Sequence, residues 1–427
     1  MNIIEHGRAF VQSLRELASR SVWDWRRCPH CGSTMTHKNG SYARHPWTFD
    51  GRRAVRVQRH LCHGCGRTYS ERSPLLVQGS WYAREVHRCA IDHWQHVGSS
   101  LRRAAEWVRS CIGRQERWYL WRPLDERGEK RCHLSASTVH RWLDGAGRVA
   151  QQSVAGQLEG IPFSGHLGTD GLWARLRGGA KRVVLMLVDS ASGLLWPPVV
   201  ETGEESRGSW RRLFQRAKEA GLGLQAIGAL TSDGAHGLLG YLRQELPWVH
   251  HQRCVWHLWR NLSRELARQA SGAAAGLLGQ AARRAGKQVR RELVALIRGV
   301  LDAQSYETAE ACLAKLKAHP RGARIWKLLN RQFDAALVHL LDRHRGLIRV
   351  TPEWCWRDFR QRLSRGRNHG SDQRLERAAL VWAIYHNFTP AQWRSERKRN
   401  YRRPGQSSLE VAGHPPGKIN YLDALCI

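Results

Sequence analysis

Two copies of Cys-x-x-Cys-Gly stand early in the chain, Cys28-Pro29-His30-Cys31-Gly32 and Cys62-His63-Gly64-Cys65-Gly66. Two residues between thiols let one tight turn aim both sulfurs at a single ion. The glycine after each pair tolerates the positive φ or close backbone approach that such a turn needs. Two turns of this kind close a tetrahedral site, so Cys28, Cys31, Cys62 and Cys65 are expected to hold a structural Zn2+ in a zinc ribbon. Unrelated free thiols are the alternative, but they leave the repeated glycine unexplained, and a redox pair needs only one Cys-x-x-Cys. The other seven of the eleven cysteines are scattered. That pattern suits a reducing compartment better than a disulfide framework.

A second chemistry lies in the acids. Asp170 falls in HLGTDGLWARL, a strand-like stretch, and Asp233 in ALTSDGAHGLL, where a strand gives way to a helix. A glycine follows each, which suits a carboxylate exposed at a sheet edge, although Asp-Gly is equally a common turn. Carboxylates gathered there would hold catalytic Mg2+, with Mn2+ able to substitute. Two such ions about 3.5–4 Å apart activate a water or hydroxyl and stabilise the leaving oxygen of a phosphodiester. Magnesium needs few protein carboxylates when substrate phosphate supplies the remaining oxygens. Asp189, in LMLVDSASG, reads as a strand end and turn.

These groups need a body to position them. The chain has 427 residues, enough for two to four domains, and 42% are hydrophobic. Lys and Arg number 69 against 36 for Asp and Glu, a formal net charge of +33. So large a charge repels itself unless a polyanion compensates it, which points to nucleic acid. The 20 tryptophans argue for a packed, enzyme-like body over a short basic protein of ribosomal type. The opening MNIIEHGRAFVQSLREL lacks a signal-peptide pattern, and no apolar run approaches the ~18 residues of a membrane span. A soluble, cytoplasmic, nucleoid-associated protein is expected.

Pattern changes divide the chain into a zinc ribbon with an N-terminal helix (1–78), a helical DNA-binding module (79–158), an alternating strand and helix region (159–257), a helical stretch poor in proline (258–345) and a final segment with a basic tail (346–427). The expected fold class is multi-domain α+β. In the second segment, SLRRAAEWVRS and His133–Leu143 suggest a helix-turn-helix-like pair, though the connection is longer than a tight turn. Ser135 or Ser137 would cap the second helix, with Val139, Trp142 and Leu143 inward. Thr138, His140 and Arg141 would then face DNA bases near the helix start. An ordinary helical pair packed on the next domain is the alternative. In the ribbon, Arg52, Arg53, Arg56 and Arg59 would contact phosphates or simply face water.

Beyond Asp233 comes Cys254-Val255-Trp256-His257. An Asp on a first strand, an Asp-Gly ending a later strand and a Cys-x-x-His beyond it resemble the Mutator-like transposases and their bacterial insertion-sequence relatives of the DDE class. The resemblance implies a ribonuclease-H-like α/β core interrupted by an all-helical insertion before a final Glu. The separations, 63 residues from Asp170 to Asp233 and 120 from Asp233 to Glu353, suit that layout. RVTPEWCWRDFRQRL resembles the family's last-acid segment and puts Glu353 at the third position. It departs from the family in having Pro352 before the acid and Trp354 after it. Glu376, in SDQRLERAALVW, is the rival. By resemblance, Cys254 and His257 support catalysis, with a core role as the alternative. Tyr385-His386-Asn387-Phe388 and the tail ERKRNYRRPGQSSLEVAG look like the endings of bacterial transposases.

The implied activity is binding to terminal inverted repeats, Mg2+-dependent strand cleavage and transfer of the freed 3′-hydroxyl to target DNA. Asp170, Asp233 and Glu353 would be both catalytic residues and magnesium ligands. Joining two DNA ends implies a homodimer or higher oligomer. A catalytically inactive DNA-binding regulator and a metal-dependent nuclease without strand transfer are the alternatives.

Overall fold

The computed structural model of the chain describes residues 25–112, 132–351, 353–365, 369–391, 405–425 and 427. The N-terminal helix expected before the ribbon, the link at 113–131 and most of the basic tail (392–404) lie outside the described residues.

The ribbon is a three-stranded antiparallel sheet of β1 (Thr36–Arg44), β4 (Val55–Cys62) and β5 (Thr68–Ser70), in the order β1-β4-β5. A small hairpin of β2 (Trp47–Thr48) and β3 (Gly51–Arg52) interrupts it. Among the described residues, few of its apolar side chains are buried, chiefly Cys28, Val57, Cys62 and Tyr69. Strand β1 is exposed along nearly its whole length. A sheet with so little buried apolar area needs another source of stability, and a metal is the usual one.

Helices α1 (Arg84–Val97), α2 (Leu101–Ile112) and α3 (Ala136–Gln152) follow. The first ends on Gly98 in the left-handed conformation. The third starts from Ser135, whose side chain accepts the Thr138 N–H, and buries Val139, Leu143 and Ala146. Gly147 leaves room for Arg377, which bonds Asp144 and Gln151 and ties this helix to a later one.

The central sheet has five strands, β6 (His166–Arg175), β7 (Lys181–Asp189), β8 (Val199–Thr202), β9 (Ala229–Ser232) and β10 (His250–Arg253), in the order β10-β9-β6-β7-β8. The first three pair antiparallel, while β9 runs parallel to both β6 and β10. Val183 to Val188 are all buried, as a strand covered on both faces requires. Helices α4 (Arg207–Glu219) and α5 (His236–Glu245) connect β8, β9 and β10, with α4 packed on β7 and β8. The strand-like SGLLWPPVV yields only the short β8, because Pro197 and Pro198 carry no amide hydrogen for a ladder.

From β10 the chain enters α6 (Val255–Ala274), α7 (Gly279–Leu301), α8 (Tyr306–Ala318), α9 (Ala323–Asn330) and α10 (Phe333–Ala336). These bury an apolar cluster of their own, in which Leu258, Leu262 and Leu266 meet Leu293, Ile297, Leu313 and Ile325. The proline-poor run is not one helix. It breaks after Ala274, where Gly276 takes a φ of 80°.

The chain then returns to the sheet. Helix α11 (Glu353–Arg365) packs on β6, and α12 (Asp372–Phe388) packs on β7, β8 and α3. The His386 and Asn387 side chains fasten the β7–β8 connection. Asn387 accepts the Leu195 N–H and donates to its carbonyl, both at 2.8 Å, and His386 lies 3.0 Å from the Gly193 carbonyl. Short helices α13 (Ser408–Val411) and α14 (Tyr421–Ala424) close the described chain. The final apolar residues pack against α1, where Arg88 bonds Asp423 and the Ile427 carbonyl and Tyr421 bonds Asp92.

Three deeply buried histidines are held neutral. Burial pushes His87 down to about 3 and His251 and His369 to about 4, with Arg84, Arg253 and His140 respectively adding to the effect. A histidine depressed in the fold contributes stability that is present above its ordinary value of 6.5 and is lost as pH falls towards 4. The expected loss is of order 2–3 kcal/mol for each residue by pH 4. A series of chemical melts should therefore show a steep fall in stability between pH 6.5 and 4. A flat profile across that window would refute this account.

Candidate active site

The four-cysteine cluster is built by local turns. Gly32 and Gly66 adopt φ of 74° and 68°, and their amides reach back to the carbonyls of Cys28 and Cys62 at 2.8 Å. The four sulfurs converge within 4.8 Å of one another, with Cys28 to Cys65 at 3.7 Å and Cys31 to Cys62 at 3.6 Å. Zn–S bonds of about 2.3 Å in tetrahedral geometry place sulfurs about 3.8 Å apart, so this donor set fits zinc.

Asp170 lies within β6, and Asp233 follows the end of the neighbouring parallel strand β9. The last pair that β6 and β9 make with each other is Gly168 with Thr231. Two residues farther along each chain come Asp170 and Asp233, so the same register sets the two acids level where β9 leaves the sheet. Asp233 accepts the Ala235 N–H at 3.1 Å, which turns the chain into α5. Asp170 accepts the Gly171 N–H at 2.9 Å. Its other oxygen lies 3.7 Å from Nε2 of His257, and both side chains are about nine-tenths buried, at 12% and 8% exposure.

Gly234 has a φ of 78°, and a Cβ there would overlap the Arg253 guanidinium. Only glycine fits between the Asp233 turn and that cation. Burial pulls Arg253 down from its ordinary value, while Asp233 and Cys254 pull it back.

Cys254 anchors the return of the chain. Its sulfur accepts the Thr351 N–H at 3.3 Å and lies 3.4 Å from the Thr351 hydroxyl. Beside it, Val255 N–H bonds the Arg349 carbonyl and the Thr231 hydroxyl bonds the Ile348 carbonyl, both at 3.0 Å. These bonds lay residues 348–351 across the end of β9, and Glu353 opens α11 two residues later. Glu376 lies elsewhere. It pairs with Arg216 of α4, which also holds the Pro198 carbonyl beside β8. Asp189 ends β7 and commits its oxygens to Ser164 and Ser192.

A further acid, Glu205, carries no signal in the sequence because it sits in an ordinary polar loop, TGEESRGSW. The loop folds its carboxylate over Gly171, where any Cβ would overlap it. Burial, with the negative charge of Asp233 second, pushes Glu205 up to about 7. A raised carboxyl contributes stability below its ordinary 4.5 and loses it as pH rises through 7. In metal-free buffer, Glu205→Gln should therefore melt a few degrees higher than the parent at pH 8 and equally at pH 4. Equal melting at both values would contradict this assignment.

The residues expected to read DNA are only partly free. Arg141 is exposed, and its guanidinium bonds the Thr138 hydroxyl at 3.3 Å. His140 is half-buried, 6.3 Å from the His369 ring, because α3 packs along α12. A cleft of about 710 Å³ runs between the ribbon and this module, lined by Arg44, Arg72, Arg84 and Arg141 with Tyr42 and Trp142. Among the described residues, no helix is long and apolar enough to cross a membrane.

Residues 166–285 match the family described as transposases of the Mutator family. That span contains Asp170, Asp233, Cys254 and His257 and reaches into α7. No curated protein matches the chain.

Proposed function

We propose, from the match of residues 166–285 to transposases of the Mutator family, that the chain is a DDE enzyme that cuts transposon ends and joins the freed 3′-hydroxyl to target DNA. The observation that carries the reading is the register that brings Asp170 on β6 level with Asp233, just past the parallel strand β9, within the family's segment. The strand order β10-β9-β6-β7-β8, with β6 central, supports a ribonuclease-H-like core. The separate apolar cluster of α6 to α10 supports an all-helical insertion between the second and third acids.

Glu353 is the proposed third acid, since α11 packs on β6 and the Cys254 bonds bring the preceding residues to the end of β9. Hard oxygen donors at Asp170, Asp233 and Glu353 suit Mg2+. When bound, the metal would activate the attacking oxygen and stabilise the leaving one. His257 would orient Asp170, and Cys254 would position the segment that delivers Glu353. The ribbon and the basic cleft, with Thr138, His140 and Arg141 at its helical wall, would hold the transposon end. Two ends joined together call for at least a dimer.

The test is a strand-transfer assay with purified protein, labelled DNA carrying the element's own ends, and Mg2+ or Mn2+. Joined product is expected. Cutting without joining would leave a nuclease, and specific binding without cutting would leave a DNA-binding regulator.

A further inference from the structure

We propose that the helical region carries a DNA-backbone surface of its own, a stripe of six cations along α7. Arg283, Arg284, Lys287, Arg290, Arg291 and Arg298 are all exposed. At 3.6 residues per turn they occupy about 120° of the helix circumference and run about 22 Å along its axis. Glu292 is the one acid in the helix, falls on the far side from the stripe and is engaged by Gln288 and His319.

Left to itself, this arrangement is unfavourable. Arg283 with Lys287, and Lys287 with Arg291, are like-charge pairs one turn apart, each costing about 0.2–0.5 kcal/mol. A polyanion laid along the stripe reverses the sign of this effect. Duplex DNA presents one charge per about 1.7 Å of axis, so a stripe of this length spans about 13 phosphates. Five of the six are arginines, whose planar fork matches phosphate oxygens. An anionic membrane surface fits less well. A membrane-bound helix needs a free apolar face, and here Leu293, Ile297 and Val300 are buried in the cluster shared with α6, α8 and α9.

DNA as the partner rests on the reading above, but the surface is read from α7 alone and does not depend on catalysis. The test uses full-length protein carrying Asp233→Asn, without magnesium, so that no cutting intervenes. Binding to a random-sequence duplex longer than the stripe is followed by fluorescence anisotropy across a salt titration. Adding R284Q, K287Q and R291Q should weaken binding and make the log K against log salt slope shallower by about 2.7, at about 0.9 for each phosphate left without its cation. A triple of equal charge elsewhere in the same region, R324Q, K327Q and R331Q, should change the slope far less. Circular dichroism checks that both triples keep the parent's fold. A parental slope in the stripe variant, or an equal change in the control, overturns the proposal. Failure of strand transfer by the unaltered chain would instead count against the catalytic reading and leave this result standing.

Discussion

Replacing Asp233 with alanine should lower strand transfer by about 10³-fold or more, because one metal-binding carboxylate stands for several kcal/mol of transition-state stabilisation. Asp233 is half-exposed and sits just past β9, so the variant should fold and still bind DNA ends. Glu353→Gln should lose as much. Glu376→Gln is the control. It breaks the partly buried pair with Arg216 and should cost stability while leaving the joined product in place. Loss with Glu376→Gln but not with Glu353→Gln would move the third acid from α11 to α12. Unchanged joining in Asp233→Ala would remove the carboxylate mechanism itself.

Zinc removal should produce the second large effect. The purified chain should contain one zinc, and releasing it with a thiol-reactive mercurial should unfold the ribbon while the sheet persists. The physical reason is the distribution of apolar burial. Among the described residues the ribbon buries only a handful of apolar side chains, whereas the sheet and the helices around it share one large cluster. Structural zinc in small domains contributes about 10–16 kcal/mol, more than such a ribbon can replace. Cys62→Ser should behave like the stripped protein, since Cys62 is fully buried and supplies both a sulfur and the carbonyl that holds Gly66. Limited proteolysis between residues 44 and 72, with circular dichroism of the whole chain, reads the two parts separately. A metal-free protein with a protease-resistant ribbon would contradict the assignment.

Some of this was available from the amino-acid order because the chemistry is local. Each half of the zinc site is one turn, so Cys-x-x-Cys-Gly carries its own geometry, and the glycines adopt the positive φ their position demands. The Ser135 cap is local too, written within four residues of α3. The transposase resemblance rested on residue types at fixed separations, and the family match covers the same Asp170 to His257 segment.

What the sequence left open are relations between distant segments. Asp170 and Asp233 are level only because β6 and β9 pair in one parallel register, which neither strand encodes alone. Glu205 joins them because Gly171 lacks a side chain, a space on one strand filled from a loop more than thirty residues away. Helical periodicity put His140 outward, yet the close approach of α3 and α12 over Gly147 turned it towards His369. The role of Cys254 emerges only when residue 351 returns across the whole helical region to bond its sulfur. Residue type and short spacing thus specify each chemical group, because a turn or cap is decided by neighbours along the chain. Which groups meet is decided by strand register and helix packing, whose free energy is summed over the whole core.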